Sequence, residues 1–524
     1  MTDNFNLIPQ PVSVTAGSGV FKLTNDTPLV CGDGCDKAAA FAARLFAVQP
    51  AEGVESGGLR LNLDADSDIE SEGYELVVTA TEISLTAADE NGLFNGLQTL
   101  RQLMPAAMTA GRSADCDIPA VSIQDHPQFS WRAMHLDVCR HMFPVEFVKK
   151  YIDLLAFHKM NMFHWHLTED QGWRIEIEKY PKLAEISAWR TETPLPEDRH
   201  QYDGVPYGGY YSKDDVREVV AYADSLGITV LPEIELPGHT IAVLAAYPEL
   251  GCVGEGYKVR VDWGIEDDVF CDGNDQVFKF LEDVFDEVLE LFPSEYIHIG
   301  GDECPKVRWE SCDKCQARIK NEGLKDEEEL QSWFVGKIGN YLASKGRKMI
   351  GWDEILEGGL PEGAAVASWR GTEGGIEAAS QGHHVVMTPI THCYLDYYQS
   401  EDRENEPPAF WWPIPEEQRV EGGPSFVGLV TLDRAYSYNP YEGVPKAFQN
   451  MVMGGQSNLW TEYIPNEKQA EYQTYPRASA LAETLWSPLP SENRDFDGFI
   501  GRLSHHLKRL DALDVNYRFP KENL

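Results

Sequence analysis

From Trp131 onward, short apolar runs alternate along the chain with longer segments in which apolar residues recur every three or four positions. The short runs are typical of buried strands, and stripes such as Val148, Tyr151, Ile152 and Leu155 are typical of helices packed against them. Strands that alternate with helices are joined by right-handed crossovers and form a parallel sheet. The eight predicted strands are Met134–Val138, Met160–Leu167, Thr229–Ile234, Tyr296–Gly300, Lys348–Trp352, Ala365–Trp369, His384–Thr388 and Met451–Leu459. Eight such units predict an α/β fold, a (β/α)8 TIM barrel, with a doubly wound open sheet as the alternative.

The first part of the chain has a different pattern, and its 524 residues exceed the usual size of a single domain. Residues 1–125 are predicted to form a small α+β domain, and residues 126–524 are predicted to form the barrel. The elements predicted in the first domain are the strands Leu59–Leu63, Tyr74–Thr79 and Ile83–Thr86 and a helix around Gly92–Leu103. The segment from Pro119 to Pro127 is interpreted as the hinge between the two domains.

The charge balance restricts the possible partners. The chain has 44 Lys and Arg against 85 Asp and Glu, a formal net charge of −41. A surface this acidic repels nucleic acids and anionic membranes, so neither is expected as a partner. No apolar run approaches about 18 residues, so no membrane span is expected. The segment Met1–Phe5 lacks the basic and apolar regions of a signal peptide. We therefore expect a cytoplasmic protein, or a periplasmic or secreted one if a signal peptide has been removed.

Ten cysteines leave the redox compartment open. Cys312 and Cys315 form a CxxC motif, and Cys304 lies eight residues upstream. A zinc site would need a fourth ligand, and the sequence has no second CxxC motif. Free thiols or disulfides are therefore preferred, including a bond between Cys252 and Cys271 that would close a loop.

Polar and aromatic residues gather at the carboxyl ends of the predicted strands, where barrels of this kind carry their functional residues. In chain order they are Asp137, Arg140 and His141; His166, Glu169 and Asp170; Glu233, Glu235 and His239; Asp302 and Glu303; Trp352, Asp353 and Glu354; Trp369 and Arg370; Tyr394 and Asp396; and Trp460 and Glu462. The chain has no GxGxxG fingerprint after a strand and no P-loop, which disfavours nucleotide chemistry. Carboxylates that bind hydroxyls, beside rings that stack on apolar sugar faces, favour a carbohydrate substrate.

Asp302 and Glu303 are adjacent, and this restricts what the pair can do. In an ideal strand, adjacent side chains point to opposite faces. Both can reach one site only where the strand ends and the backbone bends, which Gly300 and Gly301 permit. Cleavage of a glycosidic bond needs an acid for the leaving oxygen and stabilisation of positive charge at the anomeric carbon. Adjacent carboxylates suit an acid and a helper with a different task better than a conventional acid and nucleophile.

Eight motifs, in their order along the chain, resemble those of glycoside hydrolase family 20, the β-N-acetylhexosaminidases. The motifs are Trp131–His141, His164–Arg174, Pro232–Thr240, His298–Glu303, Gly351–Glu354, Ser368–Gly371, Tyr394–Asp396 and Gln456–Glu462. The resemblance covers nearly the whole chain, and residues 1–125 resemble the small α+β domain that precedes the barrel in this family. The ordered set is specific, whereas the Gly-Gly-Asp-Glu motif alone would be weak.

The resemblance implies an exo-acting, retaining enzyme that removes terminal β-linked N-acetylglucosamine or N-acetylgalactosamine through an oxazolinium intermediate. Glu303 would act as the acid and base, and Asp302 would hold the acetamido N–H. The substrate-binding residues that it implies are Arg140, Trp352, Trp369, Tyr394, Asp396, Trp460 and Glu462. Glu169, Asp170 and His239 would support Glu303. Glu169 departs from the family, which commonly has Asp there, and this leaves open whether Glu169 or Asp170 contacts His239.

The substrates implied are terminal β-N-acetylhexosaminides of glycans, chitooligosaccharides or mucin, and neither a cofactor nor a metal is expected at the site. Two alternatives remain open. A metal-dependent barrel hydrolase would use His164, His166 and His239 and would lose activity with chelators. A non-catalytic sugar-binding protein would carry a damaged acid, whereas Asp302 and Glu303 are both present.

Overall fold

The first part of the chain folds around one mixed sheet. The structure is a computed structural model that describes residues 5–111, 115–415, 426–488 and 494–524. The seven strands of this sheet are, in their spatial order, Ser13–Thr24, Asp115–Asp125, Tyr74–Val78, Glu82–Ala87, Gly58–Leu63, Pro28–Cys31 and Gln49–Pro50. The helices Asp36–Phe46 and Glu90–Leu103 pack against each other, and the second also packs on the sheet. The elements predicted in this region are confirmed to within two residues, and Asp89 caps the longer helix by accepting from the Gly92 N–H at 2.9 Å.

The predicted hinge from Pro119 to Pro127 is wrong for most of its length. Asp115–Asp125 is a central strand that pairs on one side with Ser13–Thr24 and on the other with Tyr74–Val78. Proline has no N–H to donate, so a central strand tolerates it where the ladder is already irregular. Pro119 pairs with Val20, at the point where the register of the neighbouring strand shifts. Only the residues after Asp125 connect the sheet to the barrel.

The second part is a closed barrel of eight parallel strands, which confirms the predicted fold class. The strands are Trp131–Asp137, Met162–His166, Thr229–Leu236, Tyr296–Gly300, Lys348–Trp352, Ala365–Ser368, His384–Met387 and Val452–Ser457. They are arranged in chain order, and the eighth pairs with the first. All eight predicted strands overlap with these. The open doubly wound sheet is therefore wrong, because the two edges that it would leave are paired with each other.

Helices and short loop elements surround the barrel. The α-helices are Val145–Phe157, Lys213–Asp224, Ile241–Ala246, Asp275–Leu291, Val307–Ser311, Asp313–Glu322, Glu327–Ser344, Glu373–Ser380, Ile390–Cys393, Leu432–Tyr436, Glu467–Thr474, Arg477–Trp486 and Phe496–Ala512. The short loop strands are Thr168–Glu169, Gly172–Trp173, Trp189–Arg190, Pro194–Leu195, Asp198–Tyr202, Tyr207–Gly208, Trp412–Pro413 and Phe426–Val427. Within the described ranges, no helix is both long and apolar enough to cross a bilayer.

A buried carboxylate joins the sheet to the barrel. Asp125, at the end of the central strand, accepts from the Tyr74 hydroxyl at 2.7 Å and pairs with the Lys159 ammonium at 2.7 Å. Its other oxygen accepts from Trp486 Nε1 at 2.9 Å. These partners come from both parts of the chain, so the division after residue 125 stays a prediction.

Candidate active site

A cavity of about 460 Å³ opens at the carboxyl ends of the barrel strands. Every residue that the sequence analysis proposed for the site lines it, except Asp170. These residues are Arg140, Glu169, His239, Asp302, Glu303, Trp352, Trp369, Tyr394, Asp396, Trp460 and Glu462. They lie at the ends of barrel strands or in the segments that follow them, and closure of the barrel brings these remote parts of the chain together.

A left-handed turn directs both adjacent acids toward this cavity. Gly300 and Gly301 end the fourth barrel strand with φ of +64° and +95°, and Glu303 follows with φ of +45°. A Cβ on Gly300 would lie 1.7 Å from Oε2 of Glu235, and a Cβ on Gly301 would lie 2.4 Å from Cγ2 of Ile355. Only glycine fits at these two positions, and this confirms the predicted bend.

His239 lies between the adjacent acids and the carboxylates of the second barrel loop. Its Nδ1 is 2.8 Å from Oε1 of Glu169 and 3.4 Å from Oδ2 of Asp170. Its Nε2 is 3.5 Å from Oε2 of Glu303 and 3.8 Å from Oδ2 of Asp302. The closer partner of His239 is therefore Glu169. Asp170 instead accepts from the backbone N–H of Ile241 at 3.1 Å, which holds the loop after the third strand.

The electrostatics of this group follow from burial and charge. Burial disfavours the charged form of His239 and by itself would lower its pKa. The carboxylates of Glu169 and Asp170 have a stronger opposite effect and hold the pKa of His239 well above its usual range. Burial raises the pKa of Asp302 to about 7, with attraction by His239 opposing the shift and repulsion by Glu303 and other carboxylates adding to it. At neutral pH the histidine is thus a cation, and Asp302 is near its titration midpoint.

Arg140 is held in place from several sides. Its Nη1 donates to Asp137 at 3.2 Å, and its Nη2 lies 3.1 Å from Oε2 of Glu169. Nη1 also lies 3.7 Å from Oε1 of Glu462, and the guanidinium carbon is 5.2 Å from the centre of the Trp460 ring. These contacts leave the guanidinium little freedom, so it presents a fixed donor edge to the cavity.

Two further carboxyl groups line the cavity, and one of them, Glu462, is a partner of this arginine. Burial raises the pKa of Asp396 well above its usual range, and the nearby Glu462 adds to this effect. Burial also raises the pKa of Glu462, although Arg140 opposes the shift. Oδ1 of Asp396 has no hydrogen-bond partner among the described residues. Asp396 also lines the cavity, so its carboxyl group is a candidate to bind a ligand hydroxyl.

Carboxylates also hold the tryptophan walls of the cavity. Trp352 Nε1 donates to Oε1 of Glu233 at 2.8 Å, and Trp369 Nε1 donates to Oε2 of Glu354 at 2.9 Å. Trp369 stacks on Tyr394 with ring centres 6.3 Å apart, and Trp352 and Trp460 are 5.9 Å apart at a tilt of 48°. Glu233 and Glu354, two of the acidic residues at the predicted strand ends, thus orient the rings of Trp352 and Trp369.

Below the cavity, Glu233 is surrounded by histidines. His166 Nδ1 lies 2.6 Å from its Oε2, His298 Nδ1 lies 2.8 Å from its Oε1, and His164 Nε2 lies 3.0 Å from its Oε2. Burial disfavours charge here, yet these histidines hold the pKa of Glu233 well below its usual range. Burial likewise opposes the charged form of His166, but Glu233 and Glu169 raise its pKa to about 10. His164 and His166, the ligands of the metal-hydrolase alternative, thus bind a carboxylate that supports Trp352.

Part of the cavity wall was missed by the sequence analysis. The additional lining residues are Arg199, Trp263, Gly264, Ile265, Ile390, Tyr397, Phe410, Trp412 and Tyr463. Most of them lie in loop segments well beyond the ends of the barrel strands, whereas Ile390 and Tyr463 follow strand ends closely. The available signal was aromatic density, as in the Trp411-Trp412 pair, whose side chains remain 41% and 45% exposed.

The barrel, its ring of carboxylates and its aromatic walls form a site suited to a carbohydrate, and comparison with known proteins identifies the family. The profile of "Glycosyl hydrolase family 20, catalytic domain" matches residues 129–489, and that of "Glycosyl hydrolase family 20, domain 2" matches residues 4–126. The chain belongs to glycosyl hydrolase family 20.

Similar proteins carry hexosaminidase names. The chain is 42% identical to the "Beta-hexosaminidase" of Porphyromonas gingivalis over 98% of its own length and 64% of that protein's length. It is 34% identical to the "Beta-hexosaminidase" of Vibrio furnissii over 91% of this chain and 76% of that protein. A GH20 exo-β-N-acetylglucosaminidase from Vibrio harveyi, solved in complex with N-acetylglucosamine, matches with a TM-score of 0.86 and 30% identity. That match covers 99% of this chain and 79% of the solved chain.

Proposed function

We propose that this protein is an exo-acting, retaining β-N-acetylhexosaminidase that removes terminal non-reducing N-acetylglucosamine or N-acetylgalactosamine. The observation that carries this proposal is the pair of adjacent acids in one cavity, with His239 Nε2 within 3.8 Å of both. Two groups held side by side approach a sugar from one direction, so they do not suit attack and protonation from opposite faces. They do suit a substrate that supplies its own nucleophile.

In the proposed reaction the substrate's 2-acetamido oxygen attacks the anomeric carbon as the bond to the leaving oxygen breaks. Glu303 gives its proton to the leaving oxygen, and an oxazolinium ion forms. Asp302 accepts a hydrogen bond from the acetamido N–H and stabilises the positive charge that develops. Glu303, now a carboxylate, takes a proton from water as the water oxygen bonds to the anomeric carbon. The oxazolinium ring opens, the acetamido group is restored, and the configuration is retained.

The two acids differ in exposure as these tasks require. The Glu303 side chain is 34% exposed, which suits exchange of a proton with a leaving group and then with water. The Asp302 side chain is 13% exposed, which suits a fixed partner for a substrate amide. The negative charge of Asp302 would stabilise the oxazolinium cation most strongly, because little water screens a buried carboxylate from a cation beside it.

The remaining walls suit one terminal sugar. Arg140, Asp396 and Glu462 would bind the ring hydroxyls, and Tyr394 would donate to the acetamido oxygen. Trp352, Trp369 and Trp460 would enclose the acetamido methyl group and the apolar face of the ring. A cavity lined in this way admits the end of a chain, so the proposed substrates are terminal β-N-acetylhexosaminides of glycans, chitooligosaccharides or mucin. The N-acetylglucosamine bound by the Vibrio harveyi relative supports this sugar class.

The decisive experiment compares hydrolysis of 4-nitrophenyl N-acetyl-β-glucosaminide with that of 4-nitrophenyl β-glucoside, for the wild type and Glu303→Gln. We expect cleavage of the acetamido substrate alone, and its loss in the variant. Equal cleavage of both sugars would leave a barrel glycosidase without substrate assistance. No cleavage of either would favour a sugar-binding protein.

A second experiment tests the intermediate itself. A thiazoline analogue of the oxazolinium ion should inhibit far more strongly than N-acetylglucosamine, because an active site binds mimics of a high-energy intermediate more tightly than products. Equal inhibition by the two compounds would contradict acetamido participation.

A further inference from the structure

Four cysteines from three separate parts of the chain, one of them the CxxC motif, lie close together in the structure. Sγ of Cys271 lies 3.7 Å from Sγ of Cys312 and 3.7 Å from Sγ of Cys315, and Sγ of Cys252 lies 3.8 Å from Sγ of Cys315. All four sulfurs lie within 4.8 Å of one another. The ten cysteines of the chain, all of which lie in the described ranges, are free. The disulfide expected between Cys252 and Cys271 is therefore not formed in this structure.

These distances are those of a metal tetrahedron. Zinc bound by four thiolates has Zn–S bonds of about 2.3 Å, which place neighbouring sulfurs about 3.8 Å apart. In the sequence, the CxxC motif and Cys304 lack a fourth ligand, which disfavoured zinc. In the structure, Cys252 and Cys271 supply the two missing ligands, and Cys304 is not one of the four.

The backbone is shaped to bring the two pairs of cysteines together. Gly273 packs against the CxxC turn so closely that a Cβ there would lie 2.2 Å from the carbonyl carbon of Lys314. A side chain at position 273 would force the loop that carries Cys271 away from the CxxC turn, so glycine lets the two pairs of cysteines approach each other.

The surroundings of the four sulfurs are apolar. Val269, Trp309 and Leu330 are buried in the same cluster, and Ile319 and Leu324 pack against it. This cluster is separate from the main core of the barrel. A small satellite core of this kind gains much of its stability from a metal that cross-links its segments.

We propose that Cys252, Cys271, Cys312 and Cys315 bind one structural zinc ion. The ion ties the loop after the third barrel strand to the helix Asp313–Glu322, which follows the fourth strand and its catalytic turn. The loop between Cys252 and Cys271 carries Trp263 and Ile265, which line the substrate cavity. Zinc thus fixes one wall of the cavity relative to Glu303. Four protein ligands close the coordination sphere, so this ion takes no part in the chemistry.

The first test measures metal and thiols in the intact protein, purified without chelators under reducing conditions. We expect one zinc per chain by mass spectrometry of the elements, and X-ray absorption from four sulfur ligands at about 2.3 Å. Iron in place of zinc would overturn the choice of metal. Protein that neither contains zinc nor binds added zinc at one per chain would overturn the site, as would two disulfides among these cysteines.

The second test uses Cys312→Ser, with Cys31→Ser as its control, because Cys31 is exposed and lies far away in the first domain's sheet. Zinc should be lost from Cys312→Ser alone, and the temperature of unfolding should fall in that variant alone. Retention of a full zinc equivalent by Cys312→Ser would contradict the ligand set. If that variant does not fold, the metal content and absorption spectrum of the wild type still decide the question.

Discussion

His239 Nδ1 lies 2.8 Å from Oε1 of Glu169, whereas its Nε2 lies 3.5 Å from Oε2 of Glu303. The imidazole therefore connects a fully buried carboxylate to the proposed acid. Because Glu169 helps to hold the pKa of His239 well above its usual range, the ring carries a proton toward Glu303 throughout the neutral pH range. This arrangement would position the Glu303 carboxylate during the proposed step in which it accepts a proton from water.

Glu169→Gln should shift the pH profile of the enzyme. Without the negative charge of Glu169 the pKa of His239 falls, so the imidazole loses its proton at a lower pH. The alkaline limb of the kcat/KM profile should therefore move to lower pH. We expect a shift of about one pH unit or more, since one unit corresponds to about 1.4 kcal/mol of lost charge interaction. Asp170→Asn is the matched control and should shift the limb less, because Asp170 is 3.4 Å away. A larger effect of Asp170→Asn would contradict the assignment.

Asp302→Asn should make the protein more stable at alkaline pH while abolishing turnover. The pKa of Asp302 is raised from 3.8 to about 7, so the folded state retains a proton that the unfolded chain releases between these values. This contribution to stability is present below pH 4 and is lost as the pH rises through 7. Above pH 7 the wild type must bury the charge, and the amide removes that cost, which is at most about 4 kcal/mol.

The measurement is urea unfolding of the wild type and Asp302→Asn at pH 8.5 and at pH 4. The variant should be the more stable protein at the higher pH, and the difference should vanish at the lower one. Destabilisation at both pH values would show that Asp302 has a favourable structural role instead.

Glu233→Gln and Glu354→Gln make the same chemical change, but only Glu233→Gln should lower the stability of the protein substantially. Glu233 is ionised between histidines, so the amide leaves the His166 cation without its main partner. Losing one partner of a buried ion pair costs about 3–5 kcal/mol. Burial and the nearby acids raise the pKa of Glu354 to about 9, so it is already neutral at pH 7, and the amide can still accept from Trp369. Equal losses in urea unfolding at pH 7 would contradict these charge states.

Trp412→Ala should weaken substrate binding without impairing the chemistry. Trp412 is 45% exposed and lines the cavity, which places it where the next sugar of a chain would lie. For hydrolysis of chitobiose we expect KM to rise roughly fivefold with kcat retained, since an exposed aromatic contact contributes about 1 kcal/mol. Trp411→Ala is the control, because that ring stacks on Arg403 instead. A fall in kcat for Trp412→Ala would place the residue nearer the reaction than the structure shows.

The sequence by itself determined the barrel and most of its site. Alternation of short apolar runs with helical stripes is a local property, so strands such as Tyr296–Gly300 and Lys348–Trp352 were predicted at their observed limits. The carboxyl ends of all strands in such a barrel face one opening. The positions of Asp302, Trp352 and Glu462 after predicted strands were therefore sufficient to predict that they share one site.

Only the tertiary structure decided matters that depend on distances between remote segments. Glu169 is closer than Asp170 to Nδ1 of His239 by less than 1 Å, and this decides which of the two is the closer partner. Such a difference depends on how two loops pack and cannot be deduced from the spacing of residues in the chain. Pro119 lies in a central strand because its neighbour's register shifts there. Cys252 and Cys315 meet only because successive barrel strands are side by side, which places their following loops in contact. The hydrophobic periodicity of a segment predicts which face of a helix or strand is buried. Tertiary packing determines which residues that face contacts.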